Sequence, residues 1–180
     1  MFEVAPARSG EAVEMFVELS EEYVTWITAE VKRRYRGLDV EAFNAERGYD
    51  DIRKKYLKEH VPPRGDLLLA VSGKEACGCV AVGRLTKTIC EMRTLYVRPA
   101  FRGEGLGRAL AVASVEQGRR LGYRRMRLDT LSFLEGAIGL YRSLGFRETK
   151  PYHGVSGALE GHIRFMELSL LPSRTKSTEV

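Results

Sequence analysis

The sequence predicts a single-domain mixed α/β fold, with a mainly antiparallel sheet and helices on both of its faces. Two observations carry this. Three strand-like runs follow one another through short turns, as in an antiparallel meander. Beyond them the apolar period changes, and helices alternate with strands. At 180 residues, 44% of them hydrophobic, the chain has the length and apolar content of one domain with a substantial core.

The elements read in order as follows. Phe2 to Pro6 forms a short first strand, and Ser9 caps a helix with an apolar stripe through Val13, Phe16, Val17 and Tyr23. Trp26, Ile27 and Val31 continue that stripe in a second helix. The charged segment from Gly37 to His60 reads as helical or partly mobile, and Val61-Pro62-Pro63-Arg64-Gly65 ends any helix there. Leu67 to Ser72 and Cys77 to Leu85 make a hairpin around Gly73-Lys74-Glu75, and Ile89 to Val97 is the next antiparallel strand. Leu106, Ala109, Leu110 and Ala113 mark a helix that runs to Leu121-Gly122. A strand from Arg125 to Thr130, a helix carrying Leu134, Ile138 and Tyr141, and a strand from His162 to Leu170 complete the domain. The domain is taken as residues 1–171, with a frayed polar tail over 172–180.

Composition narrows the function classes. No run approaches the roughly 20 apolar residues that a membrane span needs, and Met1 to Pro6 lacks the pattern of a secretory signal. Both point to the cytoplasm. Cys77, Cys79 and Cys90 are an odd number with no metal-site spacing, so they read as buried free thiols. Cys77 and Cys79, two apart on one strand, are expected to share a face. The net charge is +5, with basic clusters at Lys32-Arg33-Arg34 and Arg119-Arg120. However, 24 acidic residues are interspersed and no aromatic RNA-binding motif accompanies them, so nucleic acid is not expected as a partner.

The most informative segment is Leu95-Tyr96-Val97 followed by Arg98-Pro99-Ala100-Phe101 and Arg102-Gly103-Glu104-Gly105-Leu106-Gly107-Arg108. A strand runs into a glycine-rich loop, and the loop opens a helix. Unpaired amides and the positive end of the helix dipole make such a start attractive to phosphate, and Arg102 or Arg108 adds charge-assisted donors. The Walker pattern is excluded because Gly107-Arg108-Ala109 replaces Gly-Lys-Ser/Thr. The dinucleotide pattern fails because Arg108 stands where its third glycine belongs.

Arg102 to Gly107 matches Gln/Arg-x-x-Gly-x-Gly/Ala, and Leu140-Tyr141-Arg142-Ser143-Leu144-Gly145-Phe146 matches Leu-Tyr-x-x-x-Gly-Phe. In both motifs the chain resembles the GNAT superfamily of N-acetyltransferases, strongly from Leu67 to Phe146 and weakly before. The resemblance implies a cofactor cleft between a splayed fourth and fifth strand. Acetyl-CoA would be the acetyl donor, with no metal. Leu95, Tyr96 and Val97 would face pantetheine, and Arg102, Gly103, Glu104, Gly105, Leu106, Gly107 and Arg108 would hold the pyrophosphate.

A primary amine of a small molecule or peptide would attack the thioester directly. An alkyl ammonium is only on the order of one part in a thousand neutral at pH 7, so a base must take its proton. Glu91, at the head of the fourth strand, resembles the family's catalytic glutamate. Tyr141 resembles the tyrosine that protonates the departing thiolate, and a backbone amide near Leu95 would stabilise the oxyanion. Many relatives place an asparagine where this chain has Leu134, so that polar anchor is either missing or replaced by Thr130 or Ser132. Acidic Glu30, Asp39, Glu41 and Glu46 are candidates to attract a cationic amine. A homodimer is an analogy with relatives. The alternative reading is a non-catalytic acyl-CoA sensor.

Overall fold

Polar caps set the helices of the N-terminal half. The computed structural model describes residues 1–49, 51–155 and 159–172, and only the backbone of Glu46 and Glu59. Strand β1 (Glu3–Pro6) leads into α1 (Gly10–Arg34), where Ser9 accepts a hydrogen bond from the Ala12 amide. Asp39 and Asp51 cap α2 (Val40–Arg47) and α3 (Ile52–Glu59) in the same way, and Gly48 closes α2 in the left-handed region at φ 64°. The charged segment is therefore two short helices. α1 is one helix, not the two expected. Its buried Phe16, Ser20, Ile27 and Val31 follow helical spacing without a break, and no proline or internal glycine interrupts them.

The sheet runs β1-β2-β3-β4-β5-β7-β6. Its members are β2 (Asp66–Ser72), β3 (Glu75–Arg84), β4 (Ile89–Val97), β5 (Arg125–Leu131), β6 (Arg147–Glu148) and β7 (Ile163–Ser169). Every neighbouring pair is antiparallel except β4 and β5, which are parallel. α4 (Leu106–Arg120) follows β4, and α5 (Glu135–Ser143) follows β5. The two-residue β6 is too short to leave a periodic signal. The expected tail lies outside the described residues from Ser173 onward.

Helices cover both faces. α4 buries Leu106, Leu110, Ala111 and Val115 with Cys77, Val80, Val82, Cys90 and Met92. On the other face, α1 and α3 bury Phe16, Leu19 and Tyr56 with Leu67, Leu69, Cys79 and Ala81. The far half of α1 continues onto Phe43, Leu131, Leu159 and Phe165. Cys77 and Cys79 thus lie on opposite faces, contrary to expectation. A bulge at Cys77, where Ala70 opposes Gly78 but Val71 opposes Ala76, shifts the pleat by one residue. All three cysteines are buried free thiols, and burial pushes those of Cys79 and Cys90 up to about 12. Among the described residues, no helix is long and apolar enough to cross a membrane.

His60, just past α3, is buried against Tyr56 and over Gly83, where an added Cβ would fall 2.5 Å from the imidazole. Burial, helped by the nearby Arg93 charge, lowers its pKa from 6.5 to about 3. Between those values the unfolded chain binds a proton that the folded chain refuses. Stability therefore falls as pH drops below about 6.5, by about 1.4 kcal/mol per pH unit from this group. Urea unfolding midpoints measured from pH 7 to pH 4 should show this slope in the wild type and a flatter one in His60→Gln.

Candidate active site

β4 and β5 pair over only three positions, Ile89 with Arg125, Cys90 with Met126 and Glu91 with Arg127. Beyond Glu91 the strands part. At the same place β4 is bulged, because Ala81 opposes Arg93 but Cys79 opposes Tyr96. Thr94 takes φ 50°, the one positive φ outside glycine among the described residues. A β-branched residue pays a steric penalty there, and the Tyr56 hydroxyl, bonded to Thr94 Oγ1, helps hold it. The bulge reverses the pleat. Met92 and then Leu95 and Val97 face the α4 side, whereas Tyr96 faces α1.

Val97 leads through a single 3-10 turn (Pro99–Phe101) to the glycine loop. Gly103 and Gly105 adopt φ 86° and 81°, angles that a side chain would strain, and a Cβ on either would meet open space. Gly105 caps α4 without a side-chain bond, and the first intrahelical bond runs from the Ala109 amide to its carbonyl. The amides of Leu106, Gly107 and Arg108 are therefore free to bind an anion at a helix N-terminus.

A cleft of about 710 Å³ joins this loop to the gap between the strands. Of the residues predicted from sequence, Leu95, Tyr96, Val97, Arg102, Gly103, Gly105, Leu106, Gly107 and Tyr141 line it together. Arg102 folds back, its Nε donating to the Val97 carbonyl at 3.0 Å and its guanidinium lying over Trp26 and Tyr96. Arg108 donates to Ser143 Oγ at 2.8 Å beside the loop, and Glu104 is exposed; neither lines the cleft. Leu134 and Thr130 do line it, and Ser132 does not.

Tyr141 is buried with its ring against Phe146. Burial and the Asp129 charge raise its pKa, so its hydroxyl keeps its proton at neutral pH. Glu91 is placed apart from it. The Glu91 carboxylate accepts from Arg93 at 2.5 Å and from the Tyr152 hydroxyl at 2.8 Å, and it borders a smaller cavity of about 410 Å³ with His153 and Leu85. Arg47 and Arg93 line both cavities.

Sequence reasoning missed the charged wall between these cavities. Arg47, the last residue of α2, pairs with Asp129 of β5, and His153 Nε2 lies 3.6 Å from the other Asp129 oxygen. Burial alone would raise the Asp129 pKa, but His153 and Arg47 outweigh it and hold the carboxyl well below 3.8. The neighbouring Asp129 carboxylate in turn raises the His153 pKa. Two signals were present. Glu91 and Arg93 alternate within an otherwise apolar strand, and Arg47 precedes the capping Gly48. The carboxylates of Glu91 and Asp129 and the His153 ring come within 4.8 Å of one another. As metal ligands they fit poorly, because each carboxylate already holds a guanidinium. Of the acidic candidates to attract a cationic amine, the described ones lie elsewhere. Glu30 pairs with Arg33 and Arg34, Asp39 caps α2, and Glu41 is exposed away from the cleft. The Glu46 side chain lies outside the described residues.

The model of the acetyltransferase (GNAT) family matches residues 16–146. An uncharacterised N-acetyltransferase of Schizosaccharomyces pombe is 42% identical over 106 residues, 58% of this chain and 65% of that protein. YjgM, an uncharacterised N-acetyltransferase of Escherichia coli, is 40% identical over 78 residues, 43% of this chain and 47% of that protein. The chain thus aligns with less than two-thirds of either relative. The structure of yncA from Salmonella typhimurium, solved with acetyl-CoA, superposes with a TM-score of 0.64 at 21% identity, covering 99% of both chains.

The Arg47–Asp129 pair makes a stability prediction. Asp129, 5% exposed, would be left as a buried charge in Arg47→Ala, at a cost of about 3 kcal/mol at neutral pH. The double variant Arg47→Leu/Asp129→Leu should regain most of that in urea unfolding. Because the folded pKa is depressed, the wild-type pair stabilises fully above about pH 4 and weakens only in stronger acid.

Proposed function

The chain belongs to the acetyltransferase (GNAT) family, and from that premise we propose that it moves an acetyl group from acetyl-CoA to a primary amine of a small molecule or peptide by direct attack. One observation carries this reading. The anion-binding start of α4 opens into the same cleft as the unpaired edge of β4 and the Tyr141 hydroxyl. A ligand with a pyrophosphate at one end and an amide-rich arm fits that sequence of groups. The yncA complex with acetyl-CoA, on the same fold, supports the choice of donor.

Each residue then has a task. The amides of Leu106, Gly107 and Arg108 bind the pyrophosphate, with Gly103 and Gly105 keeping side chains out of its way. Arg102 turns from the Val97 carbonyl toward the phosphates. The freed backbone of Leu95 to Val97 hydrogen-bonds the pantetheine arm, and a β4 amide near Leu95 stabilises the oxyanion. Tyr141, protonated and buried, donates to the leaving thiolate. Thr130 stands where it can take over the polar contact that Leu134 cannot make. Glu91 serves as base through a water, since Arg93 separates it from the cleft. Three buried free thiols suit a reducing, cytoplasmic setting.

A thiol-release assay over an amine panel, paired with calorimetry of acetyl-CoA, tests the reading. Acceptor-dependent release is expected. Tight acetyl-CoA binding without it would favour a non-catalytic sensor. Tyr141→Phe should lower kcat about 100-fold with little change in acetyl-CoA affinity. Gly105→Asp, which strains the loop and sets a negative charge beside the pyrophosphate, should weaken that affinity by about tenfold or more while the fold, followed by circular dichroism, persists.

A further inference from the structure

The inner end of the cleft, beyond the glycine loop, is walled by Arg47, Lys55 and Arg93 with the aromatic rings of Tyr23, Tyr49 and Tyr56. Among the described residues, Asp129 and Glu135 are the carboxylates that line the cleft. The arginines are not used up by their partners. Arg47 gives Nη1 to Asp129, and Arg93 gives Nε to Glu91. A guanidinium carries five N–H donors, and no other hydrogen bond from either group occurs among the described residues. Their side chains remain 14% and 24% exposed, and both line the cleft as well as the smaller cavity beside it. Both pKa values are raised despite burial, so both stay charged.

We infer that the acceptor is an amino acid, whose carboxylate docks on Arg47 and Arg93 while its amine points toward the gap between β4 and β5. This rests on the acetyltransferase reading above. Two guanidiniums offering paired donors match a carboxylate closely. A polyamine would instead bring a second positive charge against this wall. The wall also assists the chemistry. Positive neighbours disfavour the ammonium form of the bound amine and so raise its neutral, nucleophilic fraction. The proton leaves the amine through a water to Glu91, the base of the reading above. The aromatic rings of Tyr23, Tyr49 and Tyr56 leave an apolar, ring-lined space for the amino acid side chain.

The test uses matched acceptors on the wild-type enzyme: L-amino acids across the standard side chains, their carboxamides, and the corresponding decarboxylated amines. Thiol release should show kcat/KM about 10- to 100-fold higher for the best acid than for its amide or amine. Calorimetry with the enzyme–coenzyme A complex should show the same preference in binding, weakened by salt. Arg93→Gln should close most of that gap through KM while acetyl-CoA affinity stays unchanged. Amides or amines turned over as well as the acids would overturn the inference and leave the transferase reading standing. Release with no acceptor of any kind would overturn both. The wild-type series decides the question even if Arg93→Gln does not fold.

Discussion

The site depends on two parallel strands that stop pairing. Neighbouring parallel strands ordinarily hydrogen-bond along their length and are buried on both faces. Here the β4–β5 ladder ends at Glu91 and Arg127. From there one edge of β4 keeps its bonds to β3, and the other edge turns toward open space. Backbone groups left without partners in a cleft call for a ligand or water. A cleft formed this way is already shaped for an extended, amide-bearing ligand, with no need for a loop to close over it. The helix start at Gly105 then supplies the anion site at one end of that groove.

The other end is held by polar contacts that reach far along the chain. Arg47 and Asp129 are separated by 82 residues, and the Tyr56 hydroxyl meets Thr94 across 38. These contacts tie α2 and α3 to β5 and β4. A buried ion pair adds little net stability compared with apolar packing, but removing one partner is costly. Its effect is to fix where the helices lie relative to the sheet. The same contacts that position the N-terminal helices therefore also set the charge of the cleft.

Much of this was legible in the sequence because the informative features were local. The glycine loop binds through backbone angles and helix-start amides, so its spacing survives intact in the primary structure. Strand and helix periods gave the layered architecture for the same reason. What escaped depends on long-range geometry. The continuity of α1 rests on burial against two separate parts of the sheet. The bulges at Cys77 and Thr94 each move side chains to the other face, and no period reveals a one-residue shift. Arg47 sits among charges, where a solvated surface is the ordinary explanation, and only the fold shows it facing a common cavity with Arg93. Glu91 matches a motif position, yet in the fold it stands behind Arg93.

The bulge at Thr94 separates two kinds of inherited change. A substitution along β4 alters one side chain on one face. An insertion or deletion between Glu91 and Leu95 would exchange the faces of Leu95, Tyr96 and Val97 together, turning two side chains from α4 toward α1 and one the other way. Descendants of this chain are thus free to vary its letters here but not its length, and the strand works as a ruler.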